Sequence, residues 1–147
     1  FGHLQKGHGI SFADYDEDGD QDVFSELGGA YPGDRAVNCV FQNPGFGHHW
    51  IKVRLVGEQS NHFGVGAKIS AEIIENGVGR TVYRTINSGG SFGANPLRSE
   101  IGLGTANKIE RLTVLWPTSG QQQVFHHVAV NQSIKVIEGK SEFQVIE

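Results

Sequence analysis

The segment Trp50-Ile-Lys-Val-Arg-Leu-Val56 alternates strictly. In an extended chain Ile51, Val53 and Leu55 fall on one side, and Lys52 and Arg54 on the other, because side chains in a strand repeat with period two. Similar runs recur along the chain. Strands are expected over Ile10–Ala13, Val23–Leu27, Asn38–Asn43, Trp50–Val56, Ala67–Glu75, Arg80–Asn87, Ser99–Gly102, Ile109–Trp116, Gln122–His126 and Ser133–Glu138, with a short last one over Glu142–Ile146. Thr113-Val-Leu-Trp116 reads as a strand buried on both sides. Helical periodicity is nowhere sustained. The longest candidate, Asn107–Leu115, contains a β-rich run and stops at Trp116-Pro117.

Turn signals separate these runs: Asn43-Pro-Gly, Gly57-Glu-Gln-Ser-Asn, Asn76-Gly, Ser88-Gly-Gly, Pro117-Thr-Ser-Gly and Glu138-Gly. Asn76-Gly77 marks a hairpin, because a type I′ turn needs positive φ at both central residues. With 21 glycines among 147 residues, the chain is expected to be all-β, a β-sandwich or barrel-like single domain with an N-terminal hairpin. The composition shifts near Asn43–His49, from acidic and glycine-rich to longer, more regular strands. A division is expected between a hairpin segment, 1–45, and a β-domain, 46–147.

The net charge of −4 gives no basic footprint for nucleic acid. No apolar run approaches the ~18 residues that a membrane helix requires. Cys39 is the single cysteine, which precludes an internal disulfide; within Cys-Val-Phe a buried, inert thiol is expected. The chain begins mid-pattern at Phe1-Gly-His, as expected of part of a longer precursor.

Asp14-Tyr-Asp-Glu-Asp-Gly-Asp-Gln-Asp22 carries the clearest chemistry. Calcium takes six to eight oxygens. Asp14, Asp16 and Asp18 occupy positions 1, 3 and 5 of a loop, with Gly19 at the sharp turn of position 6. Asp20 at position 7 offers a backbone carbonyl, and Asp22 at position 9 closes the shell directly or through water. Position 12 is Ser25, not the bidentate Glu of an EF-hand, and the flanks are β-like. A strand–loop–strand calcium site is expected, bracing a hairpin. Six acidic residues in nine positions repel one another, and a cation relieves that repulsion. Sites of this simple kind fill most readily at extracellular calcium levels, so an extracellular or cell-surface, secreted protein is expected.

Phe12-Ala-Asp-Tyr-Asp-Glu-Asp-Gly-Asp-Gln-Asp-Val-Phe24 resembles the calcium loop of FG-GAP (VCBS-type) β-propeller repeats. From His49 to Gly139 the chain resembles the ASPIC/UnbV domain that often follows such repeats. The matching segments are His49-Trp-Ile-Lys-Val-Arg-Leu-Val-Gly57, Ser60-Asn-His-Phe-Gly-Val-Gly-Ala-Lys68, Ile101-Gly-Leu-Gly104, Ile109-Glu-Arg-Leu-Thr-Val-Leu-Trp-Pro117 and Val130-Asn-Gln-Ser-Ile-Lys-Val-Ile-Glu-Gly139. The resemblance implies a secreted or surface protein and little about activity. One repeat-like loop cannot close a propeller.

Other constellations carry less. His3, His8, His48, His49, His62, His126 and His127 include two adjacent pairs, but neighbours on a regular strand point to opposite faces. Ser88-Gly-Gly-Ser-Phe-Gly93 lacks the helix that phosphate cradling uses. Glu72, Glu75, Glu100 and Glu110 have no spacing that selects an acid–base pair. Sugar stacking on exposed aromatics has candidates in Tyr31, Trp50, Tyr83, Phe92 and Trp116, with core packing expected for Trp116. Tyr31 and Phe92 lie in loops, where binding residues concentrate, and Asn87, Asn95 and Arg98 could form a polar rim.

The expected function is a non-catalytic binding or adhesion module with carbohydrate as the leading ligand. The first alternative is a structural propeller appendage contacting a cell-surface protein. The second is a small polysaccharide-active enzyme using His48, His62, His126 or His127 with a carboxylate.

Overall fold

A computed structural model describes residues 7–29, 31–90 and 93–146. It is all-β, with no helix among the described residues. No helix there is long and apolar enough to cross a membrane. The chain packs as two compact units, Phe1–Gly45 with Ser88–Pro96, and Phe46–Asn87 with Leu97–Glu147.

The first unit holds β1 (Gly7–Ala13), β2 (Asp22–Leu27) and β3 (Cys39–Phe41) in one antiparallel sheet of that order. The acidic loop joins β1 to β2, with Ala13 opposite Asp22. The segment 88–96, which the sequence assigned to the second domain, falls in this unit, where Gly93 and Asn95 lie against β1. Asn95 Oδ1 accepts the Phe12 N–H at 3.0 Å. At Gly93 a Cβ would lie 2.2 Å from the Ile10 carbonyl oxygen, so only glycine lets the backbones pass that closely.

The second unit holds β4 (His49–Val56), β5 (Lys68–Glu75), β6 (Val78–Thr85), β7 (Ser99–Gly104), β8 (Lys108–Leu115), β9 (Gln122–Ala129), β10 (Gln132–Ile137) and β11 (Gln144–Ile146). They form two four-stranded sheets, ordered β11-β10-β4-β7 and β6-β5-β8-β9. Neither closes into a barrel. Inward side chains of both sheets meet in one buried cluster that includes Ile51, Val53, Ile69, Ile101, Ile109, Leu112, Val114 and Ile134. This is a sandwich core: each strand buries alternate residues, and burial of each large aliphatic side chain contributes roughly 1.5–3 kcal/mol. Asn76 and Gly77 have φ of 51° and 79°, as the hairpin turn between β5 and β6 requires.

Two details depart from the sequence reading. In Thr113-Val-Leu-Trp116 three residues are buried, but Leu115 is 41% exposed, so this strand is not covered on both sides. In β8 and β9 the alternation breaks. Ile109 and Leu112 both face the core with Glu110 and Arg111 between them, and the pairing steps from Ile109↔Val128 to Arg111↔His126. Glu110 and His127 fall between those two pairs without shifting the β8–β9 register; Glu110 is the extra residue against β5, where pairing steps from Glu72↔Arg111 to Ile73↔Ile109, and His127 takes a φ of 52°.

Candidate functional site

The acidic loop is shaped by its own side chains. Asp14 and Asp22, at its two ends, are buried. Asp14 Oδ2 accepts the Gly19 N–H at 2.9 Å. Asp16 Oδ1 accepts the Asp18 N–H at 3.4 Å, and Asp18 Oδ1 that of Asp20 at 2.9 Å. These short loops from side chain to backbone are the usual Asx mode of turn formation. Gly19, with a φ of 100°, takes the sharp bend. Gln42, just beyond β3, donates to Asp16 Oδ2.

One carboxylate oxygen from each of Asp14, Asp16 and Asp18 lies within 4.8 Å of the other two. Calcium–oxygen distances are about 2.4 Å, so two ligands on opposite sides of one ion are about 4.8 Å apart. The trio therefore fits a single calcium ion, and its all-oxygen, anionic donors suit a hard cation. Asp20 and Asp22 stand outside the trio. Asp22 Oδ2 accepts the Tyr15 N–H at 2.9 Å and its Oδ1 the Asn43 N–H at 2.8 Å, so this side chain ties the loop to the segment after β3.

The described residues of the expected ligand rim each have local partners of their own. Tyr31 is 68% exposed in a turn closed by an Asp34 N–H to Tyr31 carbonyl bond of 3.1 Å. Asn95 is committed to β1, Asn87 Nδ2 donates to the Thr85 carbonyl at 3.3 Å, and Arg98 Nη2 pairs with Glu100 Oε1 at 2.9 Å. Tyr31 and Asn95 belong to the first unit, Asn87 and Arg98 to the second. Phe92 lies outside the described residues. Trp116 is buried, as expected, and its indole N–H is donated to Gln123 Oε1. Tyr83 is 71% exposed. Trp50 is half-buried, with the Lys52 ammonium 4.8 Å from its ring centroid.

The described histidines take separate roles. His49 Nδ1 is 2.9 Å from Asn131 Nδ2, and the His62 ring meets Phe63 edge-on. His48 is tilted against Phe46. His127 Nδ1 is 3.4 Å from Glu110 Oε2. His126 and His127 do not alternate: both are exposed, with rings 6.3 Å apart, because the positive φ at His127 interrupts the strand. His3 lies outside the described residues. Glu72 pairs with Arg111, Glu75 with Arg80, and Glu110 with Lys108. Cys39 is half-buried rather than buried, with Sγ 3.8 Å from the Val37 carbonyl.

Glu138 had been read only as part of a turn, yet it is among the most connected polar groups in the chain. It is 4% exposed. Its Oε2 accepts the N–H groups of Glu58, Gln59 and Ser60 at 2.8, 2.8 and 2.7 Å. Its Oε1 accepts the hydroxyls of Ser60 and Ser119 at 2.8 and 2.5 Å. Burial pushes this carboxyl up. The Ser119 hydroxyl, the Ser60 N–H and hydroxyl, and the Glu58 N–H outweigh burial and hold it at about 2. The only sequence signal was the pairing of a Gly-Glu-Gln-Ser turn with a distant Glu-Gly.

A β-sandwich and an acidic, oxygen-lined hairpin loop are thus the chain's two defining features. Residues 57–143 match the family described as ASPIC and UnbV, and the chain belongs to that family. No curated protein matches the chain.

Proposed function

We propose that the chain is a non-catalytic, calcium-stabilised recognition module of a larger extracellular or cell-surface protein, with carbohydrate as its ligand class. The convergence of Asp14, Asp16 and Asp18 on a β-hairpin carries the calcium reading. It supports an FG-GAP/VCBS-type loop in which Asp14, Asp16 and Asp18 hold the ion and calcium neutralises the charge that the turn concentrates. Weak calcium sites fill at extracellular levels, which supports the location.

The carbohydrate reading rests on aromatic surface. Trp50 projects from the outer face of β4, opposite Gly102, and no heavy atom lies within 4 Å of where a Gly102 Cβ would be. One flank of the indole therefore has room for a sugar ring. Tyr31 and Tyr83 supply further exposed rings. A glycan array probed with the chain and its Trp50→Ala, Tyr31→Ala and Tyr83→Ala variants tests this. Binding lost in one variant of unchanged melting temperature supports the reading, and no binding to any glycan contradicts it.

Contact with a protein partner is the second reading. Ile10 and Phe12 project from one face of the β1-β2-β3 sheet and Phe24 and Val40 from the other, all exposed. Apolar side chains on both faces of a small sheet favour a protein contact. Phe12→Ser and Phe24→Ser should then weaken association with the rest of the parent protein and leave glycan binding unchanged.

A further inference from the structure

The outer face of the β11-β10-β4-β7 sheet gathers basic side chains that lie far apart in sequence. On β4, Trp50, Lys52 and Arg54 lie on the face opposite the core residues Ile51, Val53 and Leu55; Arg54 is exposed, Trp50 is half-buried, and Lys52 is buried with its ammonium over the Trp50 ring. The parallel register of β10 sets Lys135 beside Arg54 and Ser133 beside Lys52. The antiparallel register of β7 sets Glu100 beside Lys52, with Ser99 beside Val53. Arg98 directly precedes β7, and its guanidinium is held by Glu100. Lys135 and Arg54 thus stand side by side on adjacent strands, about 4.8 Å apart.

Like charges directly opposite one another destabilise a sheet. Arg98 has Glu100 as its partner. Arg54 and Lys135 have no ion pair with a carboxylate among the described residues, and Arg54 is exposed. The fold therefore retains a repulsive arrangement without internal compensation. An external anion would relieve it. The chain as a whole is acidic, with a net charge of −4, so this pair is a local exception and not a sample of a basic surface. Four residues before Arg54 on the same face stands Trp50, with the buried Lys52 between them and open space on its Gly102 side.

We infer that this face binds an anionic polysaccharide, one whose carboxylates or sulfates meet Lys135 and Arg54 while a sugar ring stacks on Trp50. The inference rests on the carbohydrate reading above and narrows it to acidic glycans. Nucleic acid is the competing polyanion. Binding of single strands draws on several stacking aromatics within an extended basic groove, and here two cations without a carboxylate partner among the described residues share a sheet face with one indole.

The test measures binding of the intact chain to alginate, dextran sulfate, neutral dextran and a DNA oligonucleotide at low and moderate salt. Alginate and dextran sulfate separate carboxylate from sulfate as the anion. At least one of the two should bind, more weakly as salt rises, and dextran should not. R54S/K135S should weaken that binding about tenfold, since each exposed ion pair contributes little alone. Its melting temperature should stay within a few degrees, because the pair is not buried in the core. R54K/K135R keeps the charges and should retain most of the affinity. Undiminished binding in R54S/K135S overturns the inference, as does DNA bound as tightly as the acidic glycans. A neutral glycan bound equally by wild type and R54S/K135S overturns the anionic inference and leaves the carbohydrate reading standing. No binding to any polysaccharide, neutral or acidic, overturns both.

Discussion

Replacing Glu138 with Gln removes one charge and almost no volume, so its effect isolates the electrostatic part of the clasp around residues 58–60. Three consecutive backbone N–H groups and two hydroxyls converge on this carboxylate. A hydrogen bond to a charged acceptor is worth ~1.5–3 kcal/mol and a neutral one ~0.5–1.5, so weakening the set without deleting it should cost on the order of 2–3 kcal/mol. The depressed carboxyl gives a second route to a figure of the same order. The folded carboxyl lies near 2 and the unfolded one near 4.5, and a difference of that size corresponds to about 3 kcal/mol. Because the folded value is the depressed one, this contribution is complete above about 4.5 and is lost as pH falls toward 2. Urea unfolding of wild type and Glu138→Gln at pH 7, 5, 4 and 3 is the assay. The gap between the two proteins should be widest at pH 7 and should shrink below about pH 4.5. Taking the difference cancels the other carboxylates, including those of the acidic loop. A gap under ~0.5 kcal/mol at pH 7, or one unchanged at pH 3, would refute the reasoning.

Other substitutions probe separate parts of the fold. Leu112→Ala empties a fully buried position and should destabilise the second unit by ~2–5 kcal/mol in chemical unfolding. Gly57→Ala places a Cβ 2.3 Å from the Asn61 carbonyl oxygen, so the loop that holds Glu138 must shift. A loss of roughly 2 kcal/mol or more is expected, and a variant as stable as wild type would mean the loop moves freely. Arg111→Gln breaks an exposed pair with Glu72 and should leave the unfolding midpoint almost unchanged.

Strand positions were legible because alternation is a local signal. Each of the eleven strands overlaps a run read from sequence, since half-buried strands write their inward face into every second residue. Strand partners were not legible, because alternation says which side faces the core and not which strand lies alongside. The parallel pairing of β10 with β4 is one example, and the juxtaposition of Lys135 with Arg54 follows directly from it. The bulge of β8 at Glu110 against β5 and the positive φ at His127 also escaped, and the latter made the rule of opposite faces fail for His126 and His127. At the acidic loop, the spacing of Asp14, Asp16 and Asp18 accompanies their convergence in space. The bonds from the Tyr15 and Asn43 N–H groups to Asp22 were not legible, because Asn43 arrives from beyond β3. Asn95 and Arg98 were read as a rim from loop composition alone. Their partners, Phe12 and Glu100, belong to strands whose placement the loop sequence does not encode.

The central claim, a calcium brace on the β1–β2 hairpin, is tested most directly by thermal unfolding with and without calcium, in wild type and in Asp16→Asn/Asp18→Asn. Those two side chains are exposed, so the double variant removes donors without emptying the core. A ligand at a hundred times its dissociation constant stabilises by ~2.7 kcal/mol. Calcium should therefore raise the wild-type transition by several degrees, chelator should reverse the rise, and the double variant should show neither effect. A wild-type transition that is the same in calcium and in chelator would contradict the account.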